Sequence, residues 1–359
     1  MSVIRVGLIG FGYAGRTFHV PLLRAQPAFE IGAVASSDAD RVHAVLGPAM
    51  PVCTAAQLVL RDDLDLVVIA SPNDTHHPLA EAALRAGRHV VVDKPFTVTL
   101  AQARALAELA RQSDRLLSVF HNRRWDGDYL TVRRVLAEGR LGRVTELVSH
   151  FDRYRPTVRA RWREGNGPGA GLWLDLGPHL VDQALQLFGQ PDAIALDRAA
   201  VRDAAIADDW FHAILRWSQG PHAGLRVQLH ASTLAACPGA RFVVHGTRGS
   251  LVIEGLDAQE AALKAGAGTP QLSSAGWGAE DRRATSYLAV DDGSDGLKVE
   301  SMALQRGDYP AYYAAIANAL RGLGDNPVPA PQAVAVQAIL EAGERSAARR
   351  CEQELPAFP

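Results

Sequence analysis

Short apolar runs separated by helix-periodic polar stretches dominate the first third of the chain. Residues 4–9, 29–35, 65–70, 89–92 and 116–120 read as buried strands, because each is apolar, strand-length and bounded by turn residues. Between them, residues 14–24, 78–86 and 100–112 read as helices, the last two repeating alanine, leucine, arginine and glutamate at helical spacing. Strand and helix alternating through short loops predict a parallel sheet with helices on both faces. From about residue 143 the pattern changes. Residues 144–154, 210–217 and 225–230 are β-rich, and residues 241–253 read as a hairpin turning at Gly246-Thr247-Arg248-Gly249, so an antiparallel sheet is expected there. Residues 255–278, rich in glycine, alanine and serine, read as irregular surface structure, and residues 310–323 and 331–349 as two helices.

The turn after the first strand carries chemistry. Gly10-x-Gly12-x-x-Gly15 lies between an apolar strand and a helix, the arrangement in which a dinucleotide pyrophosphate is held. The first glycine allows the tight turn, the second lets backbone approach the phosphates, and the third lets the helix pack closely on the strand. Such a triplet alone is weak, but alternating strands and helices follow it, which gives it weight. Backbone groups of Phe11, Gly12, Tyr13 and Ala14 are expected to face the pyrophosphate. Ligands of open parallel sheets gather at the carboxyl ends of the strands. Ser71-Pro72-Asn73, Asp93-Lys94-Pro95 and His121-Asn122 each follow a strand and are therefore expected on one rim with the turn.

Coenzyme choice is read at the end of the second strand. NAD-specific domains usually place a carboxylate there for the ribose 2′-hydroxyl, and it would repel a 2′-phosphate. Here Ser36 and Ser37 occupy the position with Arg41 nearby, so NADP is expected over NAD. A two-residue shift of register would put Asp38 there and restore NAD.

The fold class expected is therefore α/β: a Rossmann-type doubly wound parallel sheet, then an α/β domain with an open, mainly antiparallel sheet. Residues 1–122 form the dinucleotide-binding domain, 123–330 the substrate-binding and oligomerisation domain, and 331–359 a helix and tail that pack back on the first domain. With 359 residues and 48% hydrophobic content, the chain has enough apolar material for two cores. A formal net charge of -2 argues against a nucleic-acid surface. The first ten residues show no charged leader with a cleavage site, and apolar runs are strand-length, so neither a signal peptide nor a membrane span is expected. Cys53, Cys237 and Cys351 are odd in number and widely spaced, which predicts free thiols in a reducing compartment, the cytoplasm. His76-His77 has no companion cluster at ligand spacing, so no metal is expected.

A second constellation lies in residues 171–186. Its apolar residues suit a buried helix, yet Asp175, His179, Asp182 and Gln186 follow at spacings of four, three and four, which aligns them as a polar stripe. In an arbitrary sequence such a stripe is more often a solvated face or a satisfied core histidine. Its company changes that weighting. The glycine turn, Asp93-Lys94-Pro95 and Asp175-x-x-x-His179 together resemble the Gfo/Idh/MocA family of nicotinamide-dependent oxidoreductases, in family order and nearly end to end. Residues 10–19, 120–126 and 175–185 further resemble the branch containing NADP-linked scyllo-inositol dehydrogenases. Asp93 departs from the usual glutamate, shortening one carboxylate arm while leaving the lysine in place.

The resemblance implies roles. Lys94 corresponds to the catalytic lysine, Asp175 to the helix carboxylate and His179 to the acid/base histidine. Oxidising a secondary alcohol requires loss of a hydroxyl proton, which an imidazole accepts near neutral pH. Lys94 would stabilise developing alkoxide charge, and Asp175 would orient a hydroxyl or the imidazole. Ser71, Pro72, Asn73 and His76 would line the nicotinamide side, Asp93 the cofactor rim, and Asn122 the nicotinamide ribose, while Trp162-Arg163 resembles a pair reaching the cofactor from the second domain. The implied partner is a cyclic polyol or sugar, and the implied assembly a homo-oligomer, dimer or tetramer, using an exposed sheet face. Which of Arg153, Tyr154, Arg155, Trp173 or Asp182 meets the substrate is not legible. Two other readings keep the fold: a different substrate such as an aldose, deoxysugar or dihydrodiol, or a nucleotide- and sugar-binding regulator without turnover. A regulator has no chemical need for Lys94, Asp175 and His179 together.

Overall fold

The computed structural model describes residues 2–294 and 296–356; the final residues of the expected 331–359 segment, 357–359, lie outside the described residues. Strand β1 (Ile4–Ile9) leads through a π-helical turn, Gly15–His19, into α1 (Val20–Arg24). There follow β2 (Phe29–Ala35), α2 (Ala39–Leu46), β3 (Val52–Cys53), α3 (Ala55–Val59), β4 (Leu66–Ile69), α4 (Asn73–Arg85), β5 (His89–Val92), α5 (Leu100–Gln112) and β6 (Leu117–Val119). Helices α3 and α5 start at threonines, Thr54 and Thr99, whose hydroxyls accept the backbone N–H three residues on while Gln57 and Gln102 reach back. The six strands pair in parallel in the order β3-β2-β1-β4-β5-β6. All four residues of β4 are buried, as a strand covered on both faces requires. Strand order reverses between β1 and β4, and the glycine turn sits at that switch point.

The second sheet begins after α6 (Gly127–Ala137) with β7 (Val144–His150). Then come α7 (Leu172–Phe188), β8 (Ala193–Ala199), β9 (Trp210–Arg216), β10 (Arg226–Ser232) and the hairpin β11 (Phe242–Gly246) and β12 (Gly249–Ile253), closed by Gly246 opposite Gly249. Burial alternates strictly along β9, with Phe211, Ala213 and Leu215 inward, so one face is covered and the other open. Helix α7 covers the inward face at β9 and β10.

The expected irregular stretch after β12 is helical instead. It contains α8 (Gln259–Lys264) and α9 (Thr269–Leu272), too short to persist alone and held by the buried side chains of Gln259, Leu263, Leu272 and Trp277. Strands β13 (Tyr287–Asp291) and β14 (Leu297–Ser301), helices α10 (Pro310–Leu320) and α11 (Ala330–Arg349), and the short β15 (Gln353–Glu354) complete the chain. The nine strands of the second sheet run β14-β13-β12-β11-β7-β10-β9-β8-β15, all antiparallel except β7 with β10. Two compact units result, and they interleave in sequence. The first joins the segment up to Asn122 with Ala258–Trp277 and Asp308–Gln337; the second joins Arg123–Asp257, Gly278–Gly307 and the chain from Ala338 on. Helix α11 thus passes from one unit to the other, and β15 lies on the edge of the second unit's sheet beside β8.

Candidate active site

In the first unit the strand ends bring the expected rim together. Gly10 has φ +97°, and a Cβ there would lie 2.5 Å from the Ala70 carbonyl, so only glycine serves where β1 turns beside the end of β4. A Cβ on Gly15 would collide with the Gly10 carbonyl, which is the close helix-to-strand approach required of the third glycine. A Cβ on Gly12 would meet nothing, so the peptide there is open to a ligand. The turn therefore fits a dinucleotide pyrophosphate. Strand β2 ends at Ala35, opposite Ile9, so Ser36 is the first residue beyond the strand end. Asp38 lies two residues further on. Its carboxylate caps α2, accepting from the Arg41 backbone N–H at 2.9 Å, and pairs with the Arg41 guanidinium at 2.9 Å; Ser36 Oγ accepts from the Asp38 N–H.

The loops after β4 and β5 are braced from beneath. His76, 1% exposed, lies with Nδ1 2.8 Å from the Pro95 carbonyl and Nε2 3.0 Å from the Ser71 carbonyl. Burial lowers its pKa, so a neutral ring donates from one nitrogen at a time. His76 thus positions the two loops and does not line their surface. The Asp93 carboxylate turns back to accept the Lys94 N–H at 2.8 Å, and Asn73, Asp93 and Asn122 are all buried; Lys94 is half-buried. Deeper still, His19 is fully buried, shares a 2.7 Å hydrogen bond with Tyr313 and packs 4.5 Å from Phe120. Burial pushes its pKa down to about 4, against a smaller opposing pull from Asp93.

In the second unit α7 carries the polar stripe. Gly171, at φ +99°, starts the helix where any side chain would strike Asp208, whose carboxylate accepts the Trp173 N–H at 2.7 Å. Asp175 lies in the first turn and His179 one turn on, 5% exposed. Arg163 reaches Asp175 at 3.5 Å and lies over the Trp162 ring at 4.6 Å, so the Trp162-Arg163 pair and the helix carboxylate form one cluster. The arm carrying that pair is pinned by Arg202, buried, which binds Glu164 at 3.0 Å, Asp209 at 2.7 Å and the Arg155 and Thr157 carbonyls.

Asp182, lower on the stripe, is structural. Asp182 is gripped by Arg124 through two hydrogen bonds of 2.8 and 2.6 Å, a buried bidentate pair. Gln183 donates to the Arg123 carbonyl at 2.8 Å and accepts from Arg241, itself 3.5 Å from the buried Asp128. Gln186 is exposed. Of the residues left open for substrate contact, Trp173 is fully buried and donates to the Leu340 carbonyl; Arg153 stacks on Phe151, and Tyr154 is 61% exposed. Sequence reading gave no role to Arg124, Gln183, Arg202 or Arg241. Arginines at 1–9% side-chain exposure carry no periodic signal, although Arg124 lies inside the resembling stretch 120–126.

Similarity to known proteins spans both parts of the chain. Residues 4–121 match the oxidoreductase family's NAD-binding Rossmann fold, and residues 133–352 its C-terminal alpha/beta domain. The chain is 52% identical over 347 residues to the uncharacterized oxidoreductase YdgJ of Escherichia coli, covering 97% of each. It is 35% identical over 346 residues to the NADP(+)-linked scyllo-inositol 2-dehydrogenase IolW of Bacillus subtilis, covering 96% of this chain and 94% of that one. A putative oxidoreductase from Yersinia pestis superposes with a TM-score of 0.92 at 48% identity, covering 100% and 99% of the two chains. Both domains and the relatives agree, and the chain belongs to the Gfo/Idh/MocA family of NAD(P)-binding oxidoreductases.

Proposed function

We propose that this protein is an NADP-dependent dehydrogenase or reductase that interconverts a secondary alcohol and a ketone on a cyclic polyol, inositol-like, or on a sugar. The observation that carries this reading is the cluster of Asp175, His179 and Arg163, in a chain that also retains Lys94 at the end of β5. The coenzyme supplies the two-electron acceptor or donor at its nicotinamide. Lys94 stabilises charge developing on the reacting oxygen, and His179 takes the hydroxyl proton in oxidation and returns it in reduction. Asp175, with Arg163 beside it, accepts a hydrogen bond from a neighbouring hydroxyl, which suits a polyhydroxylated ring. The relative IolW, by its name, acts on scyllo-inositol with NADP(+), which favours this substrate class.

NADP preference rests on Ser36 standing where a carboxylate would repel the 2′-phosphate, and on Asp38 being committed to capping α2. Metal has no task that Lys94 and His179 leave undone, and turnover is expected to survive chelation. We infer a cytoplasmic homo-oligomer that uses the open face of the nine-stranded sheet. Three free cysteines support the reducing compartment, and among the described residues no helix is long and apolar enough to cross a membrane. The deciding experiment is a panel of inositols, other polyols, sugars and their keto forms, followed by nicotinamide absorbance with each coenzyme. NADP-linked turnover of a cyclic polyol is expected; binding of coenzyme and polyol without turnover across the panel would favour the regulator.

A further inference from the structure

Helix α8 is remote from the glycine turn in sequence yet belongs to the same unit and packs on the turn's first helical residues, Gly15–His19. Its backbone is fixed. Gln259, 1% exposed, accepts from the Trp277 indole N–H at 2.8 Å and the Tyr309 N–H at 2.7 Å, which ties both ends of the segment to the unit's core. On the solvent side, Glu260 Oε1 accepts from the Tyr13 hydroxyl at 2.8 Å and from Lys264 Nζ at 2.7 Å. The same ammonium stands 5.6 Å from the centroid of the Tyr13 ring, and Tyr13 follows the open peptide of Gly12. Within residues 10–18 the single cationic side chain is Arg16, whose Nε lies 3.4 Å from the Gly12 carbonyl. A dinucleotide pyrophosphate brings two negative charges to this place.

We propose that Lys264 is a pyrophosphate-binding residue of the coenzyme site, held beside the turn by Glu260 and Tyr13 and exchanged onto the phosphates when the dinucleotide binds. The proposal rests on the coenzyme reading of the turn. One carboxylate oxygen shared between a phenol and an ammonium is a weaker partner than a doubly charged pyrophosphate, so the ammonium has a better acceptor once coenzyme arrives. Lys264 is 41% exposed, and its four-carbon stem lets the charge swing while α8 stays in place. Glu260, 13% exposed, stays behind as a negative charge near the phosphates, so it opposes binding as well as poising the lysine. A residue that merely braced α8 would not produce this pair of opposite effects.

The test is equilibrium binding of NADPH and of ADP, which has the pyrophosphate but no nicotinamide, to the whole protein across a salt series. Lys264→Met is expected to weaken both ligands about fivefold to twentyfold and to flatten the salt dependence, with Lys264→Arg restoring most of the loss. Glu260→Gln is expected to tighten both by about twofold to fivefold. Unchanged binding in folded Lys264→Met would overturn the proposal. So would Glu260→Gln weakening both ligands as Lys264→Met does, because the pair would then be a brace. Failure of the wild-type protein to bind either ligand would instead remove the coenzyme reading itself.

Discussion

Ser36 makes the sharpest single-residue prediction. With Asp38 drawn to the N-terminus of α2 by the Arg41 N–H, the strand end offers a hydroxyl and no carboxylate. Ser36→Asp is expected to shift the ratio of kcat/KM toward NAD by repelling the 2′-phosphate, read from steady-state rates with both coenzymes. A wild-type enzyme already preferring NAD would contradict it. His19 links the same unit to pH. Its pKa falls from 6.5 to about 4 on folding, so between those values the unfolded chain binds a proton that the folded one refuses. Its contribution is therefore present above the unfolded value and is lost as pH falls from 6.5 toward 4, in total on the order of 3 kcal/mol. Buried His76 is shifted in the same direction. Denaturant midpoints measured through that window are expected to drop, and to drop less steeply in His19→Gln by about one proton's worth. At this scale the glycines were legible because their constraint is local. Asp182 was not, because its partner Arg124 lies 58 residues away and no periodicity links them.

Helix α7 is where local pattern and long-range contact meet. Its start needs Gly171 and Asp208, its upper turns carry Asp175 and His179, and its lower turns are bolted by Asp182 to Arg124 and by Gln183 to Arg123 and Arg241. Removing one half of a buried ion pair strands the other charge. Arg124→Ala is expected to cost about 3–5 kcal/mol in urea unfolding, whereas Arg124→Met with Asp182→Leu, which removes both charges, is expected to cost much less. Equal losses in the two variants would mean that packing, not charge, dominates there. The stripe is legible at helical spacing, but which of its carboxylates is locked in a buried ion pair depends on arginines from other elements. The helices of segment 255–278 are not legible in the sequence for a related reason. It has few large apolar residues, and Gln259, Leu263, Leu272 and Trp277 become anchors only when buried in a unit to which the neighbouring sequence does not belong.

Across the molecule, the expected class of parallel sheet followed by mainly antiparallel sheet is the one observed, since strand length and alternation are written along the chain. The interleaving of units is not so written: Ala258–Trp277 and Asp308–Gln337 return to the first unit through contacts that no window of sequence contains. Chelation offers a simple test at this scale, with kcat expected to be unchanged after exhaustive treatment with EDTA; activity lost and restored by zinc alone would sink the metal-free scheme. The central claim is that His179 moves the substrate proton in a working dehydrogenase. It is tested most directly by kcat of His179→Ala on the best polyol with saturating coenzyme, alongside coenzyme affinity in the same protein. The account predicts kcat lower by about a hundredfold to ten-thousandfold with coenzyme affinity nearly unchanged. A folded His179→Ala protein that keeps wild-type kcat would contradict it.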